Sequence, residues 1–337
     1  MAVVEIPVIG QFWMFLISNC ASVLCSIFVL YHLLFDRQLR HSLHNHVVLV
    51  LLIINFIIET TDIPWLIYYL KHGVNWLVTP FFCKTWKLLD IALYETISRL
   101  VAWAAIERHI LVFHDRWLAT KRKRFFLHYL PIILIIAYNI VLNVAIIYFL
   151  SCDRPLYPSV PYCYFYSCAY DSVAFSLFEL ATSGILNAFC IAVFSAGLLI
   201  RIVRQKLRAH QEVNWRKQRK MTIQLLSITL LFYIFFLPAV ITGILTSIGF
   251  SSIYMDEFVV YAQFFSFYIN FLLPFVCAGT LPDLKLKIEN ALKFWTWHKR
   301  INAVVPFANS TLQQRTRTST RNTRISIRVQ PNQTVRN

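Results

Sequence analysis

Residues 83–109 read CKTWKLLDIALYETISRLVAWAAIERH. The stretch is mostly apolar, yet it carries Lys84, Lys87, Asp90, Glu95, Arg99, Glu107 and Arg108. It opens on a cysteine and closes on an acid, an arginine and a histidine. An α-helix rises about 1.5 Å per residue. The 25 residues from Cys83 to Arg108 therefore cover roughly 37 Å as a helix, enough to cross about 30 Å of hydrocarbon. Charge inside such a segment is costly, so each ionisable residue in it is a functional candidate.

The rest of the chain is greasier still. Of its 337 residues, 58% are hydrophobic and 14% charged, where soluble domains carry about a quarter charged residues. Seven apolar runs are long enough to span a bilayer. They lie near 11–34, 46–70, 84–107, 126–150, 173–200, 221–246 and 257–279. The first has no Lys or Arg ahead of it and no small-residue cleavage site behind it, so it reads as a span rather than a signal peptide. The expected fold is an all-α membrane protein, a seven-transmembrane helix bundle over 11–280.

The formal net charge is +16. Its placement argues against nucleic acid as a partner. Of the 32 Lys and Arg, 27 fall on one side: Arg37 and Arg40, the connection from Arg108 to Arg124, the connection from Arg201 to Lys220, and the tail beyond residue 278. By the positive-inside rule that side is cytoplasmic, and the N-terminus, residues 1–10, is extracellular. The basic tail is also suited to anionic membrane lipids. Cys20, Cys25, Cys190 and Cys277 fall within spans. Cys83, Cys152, Cys163 and Cys168 fall on the outer side, where disulfides persist, and four cysteines allow three pairings. The sequence alone does not choose among them: Cys83 and Cys163 are candidates, with Cys152 and Cys168 as alternatives.

Residues 151–172, SCDRPLYPSVPYCYFYSCAYDS, suggest a stapled, aromatic lid. After the last span, LPDLKLKIENALKFWTW (281–297) repeats Leu281, Leu284, Ile288, Leu292 and Trp295 at helical spacing between lysines. It reads as an amphipathic helix at the membrane interface. Residues 298–337 are basic and rich in Ser and Thr, without apolar periodicity, and are expected to be a disordered cytoplasmic tail.

These features together resemble the rhodopsin-like (class A) G-protein-coupled receptors. Trp76 stands seven residues before Cys83, and Glu107-Arg108-His109 stands where the family has Asp/Glu-Arg-Tyr at the inner end of its third helix. In the sixth span FYIFFLP (232–238) matches at Phe232 and Pro238. In the seventh LLPFVC (272–277) matches at Pro274. The resemblance implies a receptor, not an enzyme, with a heterotrimeric G protein at its cytoplasmic face. It also implies arrestin and receptor kinases as partners of the tail. It casts Arg108 as the switch restrained by Glu107, with His109 in the place of Tyr. It further implies that Phe232 and Phe236 repack during switching and that Pro238 and Pro274 serve as hinges. Gln218 stands twenty residues before Pro238, where the family often has an acid that pairs with the arginine. Asn55 and Leu273 replace the family's Asp and Asn, so its sodium site is not carried over. No cofactor is expected: retinal needs a Schiff-base lysine, and residues 257–279 contain none.

The ligand is read from the acids of the upper spans. Asp90 lies two turns inside Cys83, where amine receptors place a carboxylate, though Lys87 is one turn away. Glu95 and Arg99 are four apart and positioned to neutralise each other. Glu59, Asp62 and Glu179 add further acid. An acidic cavity, with Asp90, Glu59 and Glu179 as its candidates, under a Tyr-rich loop favours a small cationic neuropeptide; an amine bound by Asp90 is the alternative. Two other classes fit less well. His41, His44 and His46 loosely resemble a histidine box, but a membrane oxidase needs several such clusters. A transporter or channel would show an internal repeat or paired broken helices, and neither is evident. No metal site is expected.

Overall fold

A computed structural model describes residues 7–40, 43–113, 120–150, 156–157, 159–164, 167–208, 215–249, 253–281 and residues 284, 287 and 289. Among the described residues the regular elements are helices, and no strands occur. Six helices are long and apolar enough to cross a membrane: α1 Val8–Phe35, α2 Asn45–His72, α4 Lys121–Phe149, α5 Val173–Arg201, α6 Ile223–Ser247 and α7 Glu257–Gly279. Between α2 and α4 runs the longest, α3 Pro80–Phe113 at 34 residues. Its charged residues lower its hydropathy, but its length matches its neighbours.

The helices are patterned for lipid rather than water. On α1, Ile17 and Leu24 are exposed while Asn19, Ser22 and Ser26 are buried. Lipid tails are as apolar as leucine, so the interior is where small and hydrogen-bonding residues gather. α3 runs through the middle of the bundle, in contact with α2, α4, α5 and α6. Trp86, Ile97, Leu100, Val101 and Ala105 are almost wholly buried along it.

Breaks in the helices have local causes. α2 is interrupted at Thr61, three residues before Pro64, and ends at Gly73 with φ 69°, a left-handed cap that glycine adopts without steric cost. α5 contains a wide π-type turn at Leu180–Ile185. α6 is interrupted at Phe236, where Pro238 opens the following helical segment. α7 carries Pro274 inside its last segment.

The chain divides into two units by its contacts, Met1–Leu281 and Pro282–Asn337. The first contains the bundle. In the second, Leu284, Lys287 and Glu289 are helical. The rest of the expected amphipathic helix and the tail 298–337 lie outside the described residues, as do residues 1–6.

Candidate functional site

Two groups of residues stand out, one at each end of α3. At the Cys83 end, Cys83 is bonded to Cys163 with a Cα–Cα distance of 5.7 Å. Cys168 is also disulfide-bonded, and Cys152 lies outside the described residues. The segment around Cys163 is further pinned to α2 and to the turn before α3. Tyr69 donates to the Ser159 carbonyl at 2.9 Å, and Asn75 to the Val160 carbonyl at 2.7 Å. Tyr162 and Cys163 both take left-handed backbone, φ 55° and 54°, a conformation rare for residues with a Cβ. That turn lays the Tyr162 ring 4.8 Å from Trp86 and beneath the Lys87 ammonium at 4.4 Å. The Tyr162 hydroxyl donates to Asp90 at 3.3 Å. Burial first, and then the Asp90 and Asp62 carboxylates, hold the Tyr162 phenol well above its ordinary value.

Below Tyr162 lies a cavity of about 600 Å³. Its acidic and basic lining residues are Lys87, Asp90, Glu95 and Glu179, and Tyr94, Phe236 and Gln263 also line it. Lys87 and Asp90 form an ion pair at 3.0 Å. Glu95 pairs with Arg99 at 3.0 Å and accepts from Asn143 of α4 at 3.2 Å. Arg99 also donates to Ser183 at 2.5 Å, inside the wide turn of α5, and lies over the Tyr138 ring at 5.3 Å. Glu179 accepts from Tyr170 at 3.3 Å, and its carboxyl meets that of Glu95. The π-type turn adds a residue to α5 here, bringing Ser183 and Gly184 to the cavity wall. Gly184 lies close enough to Val240 of α6 that an added Cβ would come within 3.4 Å of it.

Of the three acids proposed for the pocket, Asp90 and Glu179 line this cavity. Glu59 does not. It is fully buried on the face of α2 turned toward α1 and α7, bonded to Ser26 at 2.8 Å and Asn55 at 2.8 Å. The helical phase of α2, which composition does not reveal, directs it there.

At the other end of α3, Glu107 and Arg108 are both buried. Glu107 lies beside Arg108 in the chain, and its carboxyl also meets the His128 ring at the start of α4. The other ring nitrogen of His128 meets His46 of α2 at 3.1 Å, and His46 contacts the Arg40 carbonyl at 2.9 Å. The histidine of the HSLHNH motif thus serves a chain of side chains across α2, α3 and α4. His41 and Gln218's side chain lie outside the described residues. His109 packs at 6.1 Å from Phe194 of α5. Phe232 is buried, 5.7 Å from Phe236, whose ring lies 5.9 Å from Tyr94 at the cavity floor. Phe236 therefore borders the cavity and packs against the residue a turn closer to the Arg108 end.

His128, His46, Tyr162 and Asn143 were not anticipated from sequence as site residues. A histidine in an apolar run was the available signal for His128; its partner is 21 positions away and beyond any helical spacing rule. Among the described residues, no group of His, Cys, Asp or Glu has the arrangement of a metal site.

Curated proteins give no match to the chain. The family model described as 7 transmembrane receptor (rhodopsin family) matches residues 26–279. That interval runs from the polar face of α1, through the disulfide, the cavity and Arg108, to the end of α7. The chain belongs to the rhodopsin family of seven-transmembrane receptors.

Proposed function

We propose that this receptor sits in the plasma membrane with its N-terminus outside. It binds a small cationic peptide in the cavity beneath Tyr162 and activates a heterotrimeric G protein at the Arg108 end. The observation that carries the ligand reading is the charge of the cavity lining: three carboxyls, Asp90, Glu95 and Glu179, against the Lys87 ammonium. Lys87 is committed to Asp90 and Arg99 to Glu95. Glu179 is then the acid placed to receive a guanidinium or ammonium group. In a partly water-excluded site such a pair is worth more than at the surface. A volume of about 600 Å³ falls within the usual range for ligand pockets and admits a few side chains of a peptide rather than a folded protein.

The amine reading asks Asp90 to bind the ligand cation alone. Asp90 is already met by Lys87 at 3.0 Å and Tyr162 at 3.3 Å, so an amine would have to displace an ion pair to reach it. The G-protein reading draws on the family and on Arg108. A guanidinium keeps its charge and donates in a planar fork, which suits it to helix-end carbonyls of a partner.

The test is nucleotide exchange by purified G proteins with the receptor in lipid nanodiscs, screened against a peptide library. Cationic peptides are expected to stimulate exchange, and Arg108→Ala to abolish it. Glu179→Gln is expected to lower peptide potency at least tenfold, or about 1.4 kcal/mol. Stimulation by neutral or anionic ligands alone, unaffected by Glu179→Gln, would reject the cationic-peptide reading.

A further inference from the structure

Glu59 is a buried acid that the cavity does not use. Its side chain is enclosed by Ser22 and Ser26 of α1, Asn55 one turn earlier on α2, and the α7 backbone at Asn270 and Phe271. Cys25 of α1 faces the same cluster. Asp62, the next acid on α2, turns away to accept from Trp86 of α3 at 2.7 Å. The ion pairs of Asp90 with Lys87 and of Glu95 with Arg99 lie elsewhere, on α3. A carboxylate at this depth, without a cation, is costly.

The hydrogen bonds around Glu59 can be counted proton by proton. Ser26 gives its hydroxyl proton to Glu59 Oε2 at 2.8 Å. The Asn55 amide uses both protons, one on Glu59 Oε1 at 2.8 Å and one on the Asn270 carbonyl at 3.0 Å. Ser22 has one hydroxyl proton but two close acceptors, the Phe271 carbonyl at 2.9 Å and Glu59 Oε1. If Glu59 is ionised, one of these oxygen–oxygen contacts has no proton in it. If Glu59 carries a proton on Oε1, it donates to Ser22, Ser22 donates to Phe271, and each of these contacts has a donor and an acceptor.

The α7 side of the cluster has its own cause. Pro274 lacks an N–H, so the carbonyl four residues earlier, that of Asn270, loses its helical partner. Asn55 supplies the replacement. The side chains that hold Glu59 are therefore the ones that hold the α7 backbone at its proline.

We propose that Glu59 is a proton-binding site, a neutral carboxylic acid that donates to Ser22 and, with Ser22 and Asn55, fixes the α7 backbone beside Pro274. The proton is its ligand. Loss of that proton would leave Ser22 shared between a carboxylate and Phe271 and would loosen α1 from α7.

The test uses the full-length receptor in lipid nanodiscs, without ligand or G protein. At neutral pH the infrared spectrum should contain a carboxylic-acid C=O band that Glu59→Gln removes. Ser22→Ala, which deletes the acceptor, should shift that band to higher frequency; this second variant reads the site even if the Gln variant does not fold. Glu59→Gln, whose amide can still donate to Ser22 and accept from Ser26 but cannot accept from Asn55, should lower the thermal midpoint less than Glu59→Ala does. A carboxylate at Glu59, shown by no acid band lost in Glu59→Gln or moved in Ser22→Ala, would overturn the proposal. So would a midpoint raised by sodium over choline in the native receptor but not in Glu59→Gln, which would make this a cation site.

Discussion

Glu107 of α3 and His128 of α4 form a buried side-chain pair next to Arg108. The acid of the Glu-Arg-His motif is thereby committed to a neighbouring helix as well as lying beside its own arginine. His128 extends the link to His46, so α2, α3 and α4 are joined at this end through side chains alone. Removing the histidine should leave the carboxyl buried without that partner. His128→Ala is expected to cost roughly 1–3 kcal/mol, read as a lower thermal midpoint. The loss should shrink in a Glu107→Gln background, because the two residues share one interaction. Equal losses in both backgrounds would show that the pair contributes nothing.

Lys87 lies at the cavity edge, between Asp90 and the Tyr162 ring. Replacing it with methionine keeps much of its stem and removes its charge. Asp90 then becomes available and the cavity lining carries no cation. Lys87→Met is expected to raise the affinity of small cationic ligands roughly tenfold, about 1.4 kcal/mol, measured by direct binding. Unchanged or weaker cation binding would mean that Asp90 does not face the ligand.

The carbonyl freed by Pro274 offers a separate check on α7. Asn55→Leu should leave the Asn270 oxygen poorly satisfied and cost roughly 1–3 kcal/mol. In a Pro274→Ala background the restored N–H takes the same oxygen, so Asn55→Leu should cost less there. Thermal midpoints of the four proteins complete the cycle. A cost independent of residue 274 would place the value of Asn55 elsewhere.

Tyr162 gives an alkaline signature. Burial and the neighbouring carboxylates raise its phenol above the ordinary value of 10.0. The folded protein therefore holds this proton more tightly than the unfolded chain. Its contribution to stability is full below pH 10 and is lost as pH rises from there toward the folded value. Ultraviolet titration should show tyrosines ionising late, and Tyr162→Phe should reduce that late fraction by one residue. An undiminished late fraction in the variant would assign the shift to other residues.

The helices and the ends of α3 were legible in the sequence because hydropathy and a 25-residue spacing are properties of a single segment. Local ion pairs were legible for the same reason. Lys87–Asp90 and Glu95–Arg99 are i,i+3 and i,i+4 neighbours, and helical geometry brings them together. Contacts between helices were not. The turn of α2 that sends Glu59 toward α1, instead of into the cavity, depends on packing rather than on α2's own composition. His128 is a lone histidine until α4 places it against Glu107. The Cys83–Cys163 bond was one of several pairings open to the four outer cysteines. The wide turn of α5 has no proline to announce it, yet it brings Ser183 to Arg99.

Arg99 touches three helices at once: Glu95 on its own, Ser183 on α5 and the Tyr138 ring on α4. Mechanically it is a rivet. α3, α4 and α5 are clamped at mid-height by a charged group whose release would expose a guanidinium to hydrocarbon. α6 is divided at Phe236 and α7 carries a proline break, and both lie across the cavity from that rivet. On the proposed function, a ligand wedged between Glu179 and Phe236 would press the jointed α6 and α7 away from the clamped α3 to α5.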